Sequence, residues 1–297
     1  MDQKNVLGQG AFGHIRRDPL RPGYVIKTTL WAMAQKEHRV AQRLGTHPNV
    51  VHVDLSPHAL VKLTPAETVP ECLVHGQGRL WLGEWGMDLF AAMETKYLAS
   101  REDLVADRMA ITTQLFDAMR HIHGCNVAHM DLKLENVLVK ALPNGTLGVQ
   151  VCDFGLCSES ADHYARHTRA MRGSFAYLAP EILRGLPCNP FELDIWAVGV
   201  VVYSLHAGYF PFNVASTDRC KDYLEFWKEQ SRGVSPFDAC DRRWGKRLNL
   251  AQFPPYFKAT LDTCLCVDPG ARKRFSIPVA DLPTSALARM ALSCLCD

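Results

Sequence analysis

The sequence predicts an α+β fold of two lobes around a shared cleft: a small antiparallel β-sheet lobe holding one helix, then a larger, mainly helical lobe. Three observations predict it. Short apolar runs of strand length fill the chain to about Glu84, and long helical periodicity replaces them after Asp88. The 297 residues are also long for one compact core and short for three. The first lobe is expected over residues 1–84 and the second over 85–275, with 276–297 as a short C-terminal extension and almost nothing else appended.

Taken in order, strand-like runs occur at Val6-Leu7, His14-Ile15, Tyr24-Val25-Ile26, Leu60-Val61 and Leu80-Trp81-Leu82. One helical stretch interrupts them, Trp31 to Leu44, with Ala32, Val40 and Leu44 among its apolar positions. Asp54 to Gly78 contains Pro57, Pro65 and Pro70 and reads as a surface insertion. In Asp103 to His123, Leu104, Ala106, Met109, Ile111, Leu115, Met119 and Ile122 fall mostly three or four apart, which predicts an amphipathic helix. Val137-Leu138-Val139 and Val149-Gln150-Val151 are short strands. Asp194 to His206 is almost wholly apolar, the mark of a helix buried on all sides. The cleft is expected at the junction, Glu84 to Asp88.

Composition narrows the function classes. A hydrophobic fraction of 47% and a charged fraction of 22% describe an ordinary soluble globular protein. A net charge of +2 argues against a nucleic-acid-binding tail or a polyacidic arm, so no nucleic-acid partner is expected. The 11 cysteines are odd in number and show no framework spacing, Met1 to Asn5 is polar, and no run approaches the ~18 apolar residues of a membrane span. Reduced thiols in an intracellular, monomeric protein of the cytoplasm or nucleus are the expectation. The C-x-C pairs Cys264/Cys266 and Cys294/Cys296 lack partners at zinc spacing, so no metal site is expected there.

The chemistry is concentrated in four places. Gly8, Gln9, Gly10, Ala11, Phe12, Gly13, His14 and Ile15 spell G-x-G-x-x-G and a β-branched residue, and glycines let a backbone approach phosphates closely. Alone this is weak, because a glycine-rich hairpin or a dinucleotide fingerprint looks similar; Arg16 to Pro22, with two prolines, favours strand–turn–strand. Lys27 ends a β-branched strand twelve residues after Ile15 and reads as a cation for nucleotide phosphates rather than a solvated edge lysine. Glu37 on the next helix can pair with it, although His38 is one residue away. His129-Met130-Asp131-Leu132-Lys133-Leu134-Glu135-Asn136 sets polar groups among apolar ones, where idle charges would be costly. Asp131 is the candidate base for a substrate hydroxyl, Lys133 the neutraliser of a transferred phosphoryl, and Asn136 with Asp153 of Asp153-Phe154-Gly155 the ligands of Mg²⁺ on ATP.

With these motifs in order, the chain from about Val6 to Phe275 resembles the eukaryotic protein kinase family, and the fold implied is the bilobal protein kinase-like one. Ala179-Pro180-Glu181 resembles the A-P-E that closes the activation segment. Asp194-Ile195-Trp196-Ala197-Val198-Gly199 resembles the D-x-W-x-x-G helix start, whose aspartate supports the catalytic loop. Asp268-Pro269-Gly270-Ala271-Arg272 resembles the D-P-x-x-R whose arginine pairs with Glu181. The resemblance implies ATP and Mg²⁺ as cofactors and protein substrates. Lys133 and the Gly173-to-Leu178 stretch, with Ser174 expected to bond Asp131 and Lys133, point to serine or threonine over tyrosine. A hinge at Glu84-Trp85-Gly86 would meet adenine and Asp88 the ribose. Gly83 would then stand where the family has a larger side chain guarding a rear pocket, unless a slip of one residue puts Leu82 there. Two other classes remain to be weighed: a scaffold pseudokinase, which usually lacks one of the residues present here as Lys27, Asp131 and Asp153, and a small-molecule phosphotransferase, which typically lacks the A-P-E segment.

Several features depart from the pattern. Met130 replaces the arginine that many members pair with an activation-segment phosphate, so activity is expected not to need phosphorylation there, despite Ser158, Ser160, Tyr164 and Thr168. The 54–78 stretch is longer than the usual hairpin. Cys152 precedes Asp153 as a buried small hydrophobe or a group facing the nucleotide. Arg166, His167, Arg169 and Arg172, and again Arg242, Arg243, Lys246 and Arg247, are solvated faces or docking patches for acidic segments. The cysteine-rich chain and its H-M-D resemble kinases encoded by large DNA viruses.

Overall fold

The computed structural model describes residues 6–10, 13–64, 76–159, 175–240 and 255–272. Ala11, Phe12, Ser160, Tyr164, Thr168, Ser174 and both basic clusters named above lie outside the described residues.

The first lobe is a five-stranded antiparallel sheet in the order β1-β2-β3-β5-β4, built from Val6–Gly10, Gly13–Arg17, Tyr24–Leu30, Leu60–Lys62 and Gln77–Gly83 (β1, β2, β3, β4 and β5). The third strand, Tyr-Val-Ile-Lys-Thr-Thr-Leu, is rich in β-branched residues and buried along most of its length, because α1 (Trp31–Leu44) covers one side. The bounds of α1 are those the sequence predicts. Its inward stripe is Ala34, Glu37, Val40 and Leu44, while Ala32 faces solvent. A carboxylate is thus set in an apolar stripe and needs a partner.

Two sequence expectations change here. Residues 54–78 are not all surface: β4 lies within them, and Asp54, Ala59, Leu63, Gln77 and Gly78 are buried. The fourth strand ends at Lys62 and the fifth begins at Gln77. The strand register also assigns the rear-pocket position. Ile15 pairs with Lys27, Lys27 with Leu80 and Val25 with Leu82, so these five side chains share one face. Leu82 is buried there against Val25, Val53 and Leu80. Gly83 pairs with Tyr24 on the other face, toward His52, so Leu82 holds the position expected of Gly83.

The second lobe is mainly helical and carries the large core. After the strand Met87–Asp88 (β6) come α2 (Leu89–Glu94) and α3 (Leu104–Gly124), capped by Asp88 and Asp103 through the N–H groups of Ala91 and Ala106. Val137–Ala141 (β7) and Leu147–Val151 (β8) complete a second antiparallel sheet with β6. Then follow α4 (Pro180–Leu183), α5 (Pro190–Ala207), α6 (Lys221–Ser231) and α7 (Pro255–Cys264). The fifth helix is buried nearly throughout, as expected, but starts four residues before Asp194; Asn189 caps it and Pro190 opens it. At Gly199 a Cβ would lie 2.7 Å from Cys264 Cβ, so glycine lets α5 close onto α7. The described cysteines are free thiols. No helix among the described residues is long and apolar enough to cross a membrane.

Candidate active site

The site forms where the two lobes meet. Lys27 Nζ lies 2.6 Å from Glu37 Oε2 and 2.8 Å from Asp153 Oδ1, joining β3, α1 and the turn after β8. His38 takes no part. Burial disfavours the Lys27 ammonium, but the Glu37 and Asp153 carboxylates outweigh it and hold its pKa above the usual lysine value. Burial likewise opposes the Asp153 carboxylate, and Lys27 reverses this, so its pKa falls below the usual value. Asp153 keeps 40% of its side chain open to the cleft.

Around Asp131 the contacts are tight. Lys133 Nζ donates to Asp131 Oδ2 at 2.8 Å, and Asn136 Nδ2 donates to Asp131 O at 2.7 Å and Oδ2 at 3.1 Å. Both amide hydrogens of Asn136 therefore face Asp131. The backbone is held from below: Asp194 accepts the N–H groups of His129 (2.6 Å) and Met130 (2.8 Å). These bonds fix Met130 at φ +68°, while Asp153 sits at φ +70°, a left-handed region that non-glycine residues adopt at a cost of about 1–3 kcal/mol. His129 Nδ1 accepts the Asp131 N–H at 3.3 Å and Nε2 lies 3.0 Å from Cys152 O. Phe154 is buried against that ring.

Glycines are required at two points. A Cβ on Gly13 would fall 1.8 Å from Thr28 O, and one on Gly86 would fall 1.8 Å from Val139 O. At Gly8, by contrast, a Cβ would meet open space. Gln9 and Gly10 pair with His14 and Gly13 across the hairpin. Burial, then Arg16 and Arg79, lower the His14 pKa. Glu84 turns its carboxylate to Arg17 at 2.8 Å and its N–H to Gly23 O at 2.7 Å, so its carbonyl is the part left for a ligand. Asp88 Oδ1 caps α2. Burial, then the Asp153 charge, push the Cys152 thiol well above its usual pKa, so it is neutral.

The far side of the second lobe holds the pair expected from the sequence. Arg272 grips Glu181 with two bonds, Nη1–Oε1 at 2.5 Å and Nη2–Oε2 at 2.9 Å. Sequence reasoning missed three contributors. His123 Nε2 lies 2.9 Å from Asp194 Oδ2. The Tyr177 hydroxyl accepts the Leu134 N–H at 3.2 Å and donates to Glu135 at 3.3 Å. The outer edge of α1 grips the chain after Gly155. Each pairs residues more than 40 positions apart, which no local pattern reveals.

Comparison with known proteins agrees with this geometry. The protein kinase domain family matches residues 1–280, and the chain belongs to that family. Human testis-specific serine/threonine-protein kinase 3 is 36% identical over 126 residues, covering 42% of this chain and 43% of the relative. Mouse serine/threonine-protein kinase D3 is 41% identical over 118 residues, covering 39% of this chain and 13% of the relative. Maternal embryonic leucine zipper kinase of Xenopus tropicalis is 36% identical over 118 residues, 39% of this chain and 18% of the relative. The chain thus spans less than half the length of these relatives.

Proposed function

We propose that this chain is an ATP-dependent protein kinase that transfers the γ-phosphoryl group of Mg·ATP to serine or threonine hydroxyls of protein substrates. The observation that carries the reading is the meeting of Lys27, Glu37 and Asp153 across 126 residues of sequence, beside the Asp131–Lys133–Asn136 cluster. Residues 1–84 and 85–275 act as the two lobes, with 276–297 as an extension. The protein works as a monomer in the cytoplasm or nucleus.

In this reading the paired strand residues 8–10 and 13–15 and the glycine-rich sequence that joins them, Ala11 and Phe12 included, serve to cover the phosphates. Lys27 holds two of them, kept charged and aimed by Glu37. The carbonyl of Glu84 and the backbone of Gly86 meet the adenine edge, and the second oxygen of Asp88 meets the ribose. Asp131 accepts the proton of the substrate hydroxyl as its oxygen forms the new bond to phosphorus and the bond to the β-phosphate oxygen breaks. Lys133 faces the charge on the moving phosphoryl group. A hard divalent cation suits the donors that remain: the half-open Asp153 carboxylate and the Asn136 carbonyl oxygen, whose amide hydrogens are turned to Asp131. When bound there, Mg²⁺ supplies neutralisation of phosphate charge. Because two of these relatives are named serine/threonine-protein kinases, and Lys133 stands two residues after Asp131, a hydroxyl of serine or threonine is the acceptor favoured here.

Labelled Mg·ATP and a degenerate peptide library, offered to the purified protein and to its Asp131→Asn variant, test this. Label on serine and threonine from the unaltered protein alone is the expected result. Equal transfer by both would remove Asp131 as the base. Tight ATP binding without transfer would favour a scaffold.

A further inference from the structure

The outer edge of α1 carries Lys36, Arg39 and Arg43, at spacings of three and four that put them on one side of the helix. All three reach the chain just beyond Gly155. Lys36 Nζ donates to Cys157 O at 2.9 Å. Arg39 takes the Glu159 carboxylate in a fork, Nε–Oε2 at 3.1 Å and Nη2–Oε1 at 2.5 Å, and Arg43 Nη1 donates to Glu159 O at 3.3 Å. The hydrogen bond from Arg39 lowers the Glu159 pKa most, ahead of the opposing burial, and Arg39, Lys36 and Arg43 add their charge, so Glu159 is ionised.

The other side of this short stretch is fixed as well. Ser158 exchanges both backbone hydrogen bonds with Ala128, each 2.8 Å, one residue before His129 of the catalytic loop. Residues 157–159 are therefore spliced between the catalytic loop and α1. Glu37 lies on the same two turns as Lys36 and Arg39 but points inward, onto Lys27. Any shift of α1 that breaks the outer contacts moves Glu37 too. Meanwhile Met130 offers no guanidinium: its side chain packs on the core of the second lobe.

We propose that Glu159 is a positioning residue, an ionic latch that holds α1 where Glu37 meets Lys27 and so sustains turnover without any phosphate on the segment. The proposal rests on the kinase reading and names how that site is kept assembled. The latch is half exposed, with Arg39 at 58% and Glu159 at 24% of side-chain surface, so its effect is moderate and sensitive to salt.

The test uses phosphatase-treated full chain, with mass spectrometry confirming that no phosphate remains. Glu159→Gln is expected to lower kcat/KM on the peptide library about twofold to fivefold, and Glu159→Arg by more. The exchanged pair Arg39→Glu with Glu159→Arg is expected to recover most of the loss, while unfolding temperatures stay together. Raising salt toward ~1 M should depress the unaltered protein more steeply than Glu159→Gln. Unchanged turnover in Glu159→Gln, or no recovery in the exchanged pair, overturns the latch while the kinase reading stands. No transfer from the unaltered protein overturns both.

Discussion

Two buried ion pairs sit in the two halves of this molecule, and they are built to different ends. Arg272 and Glu181 are almost wholly closed to water, with 0% and 4% of their side chains exposed. The guanidinium is satisfied on every side: both oxygens of Glu181, the carbonyls of Cys266 and Glu192, and the Trp196 ring 4.9 Å away. One positive charge meets one negative charge, and the site is complete. Lys27 and Glu37 are as deeply set, at 10% and 0%, but the ammonium faces a second carboxylate, Asp153, that stays 40% open. The cleft therefore carries an excess negative charge pointing at solvent. Both pairs bear a desolvation cost. On the reading proposed above, what separates the working pair from the structural one is this second carboxylate, which keeps an open edge for a cation and its phosphates.

The sharpest way to break this contrast is Lys27→Met. It leaves two carboxylates facing each other and removes the cation proposed to hold phosphate. A loss of about 10²–10³-fold in kcat/KM for ATP is expected, read from initial rates at ATP below its KM and saturating peptide. Because Glu37 is then buried alone, the unfolding midpoint in urea should fall as well. Retained turnover would show that the cleft pair is structural, like its counterpart.

Glu181→Gln should do the reverse. Removing one partner strands the Arg272 charge in the core, at a cost of about 3–5 kcal/mol in unfolding free energy. The fraction that remains folded should keep its kcat within about threefold, since Glu181 lies outside the cleft and holds no group that touches Asp131. A lost kcat at an unchanged urea midpoint would erase the distinction drawn between the pairs.

Much of this contrast was legible before any coordinates. Charged residues set in apolar runs, such as Lys27, Asp131 and Asp153, announce themselves because an idle charge there would be expensive. The bounds of α1 follow from its apolar spacing. Less was legible where a residue's meaning depends on a partner far along the chain. Nothing near Glu159 points to Arg39, and nothing near His123 points to Asp194. A face assignment fails by a single residue in a strand, which is how Gly83 came to stand for Leu82: every side chain alternates, so an error of one exchanges cleft for solvent. The early start of α5 had a readable signal in Asn189-Pro190, a cap followed by a first-turn proline.

That register gives a smaller, discriminating effect. Leu82→Ala empties a buried position against Val25 and should cost about 2 kcal/mol, while admitting ATP analogues with bulky substituents on the adenine. Gly83→Ala meets its nearest atom, His52 Cβ, at 3.5 Å and should leave the KM for ATP within about twofold. The opposite ranking in a competition assay with such analogues would return the rear-pocket position to Gly83.

The smallest effect concerns a third way to bury an ionisable group, which is to keep it neutral. His206 lies in the second-lobe core with Nε2 3.3 Å from the Thr112 hydroxyl. Burial first, and the Arg108 charge second, push its pKa down to about 3 from an ordinary 6.5. Above pH 6.5 neither the folded nor the unfolded chain protonates it, and its share of stability is intact. Below that pH the unfolded chain binds a proton that the folded one refuses until about pH 3. Stability therefore drains away as pH falls, by ~1.4 kcal/mol at pH 5.5. His206→Gln removes that slope, and the lowered pKa values of His14 and His47 act alike in both proteins and cancel in the difference. Urea midpoints measured from pH 7.5 to 5.5 should converge between the two proteins as pH drops. Parallel curves would mean that the folded chain protonates His206 as readily as the unfolded one, and that burial does not keep it neutral.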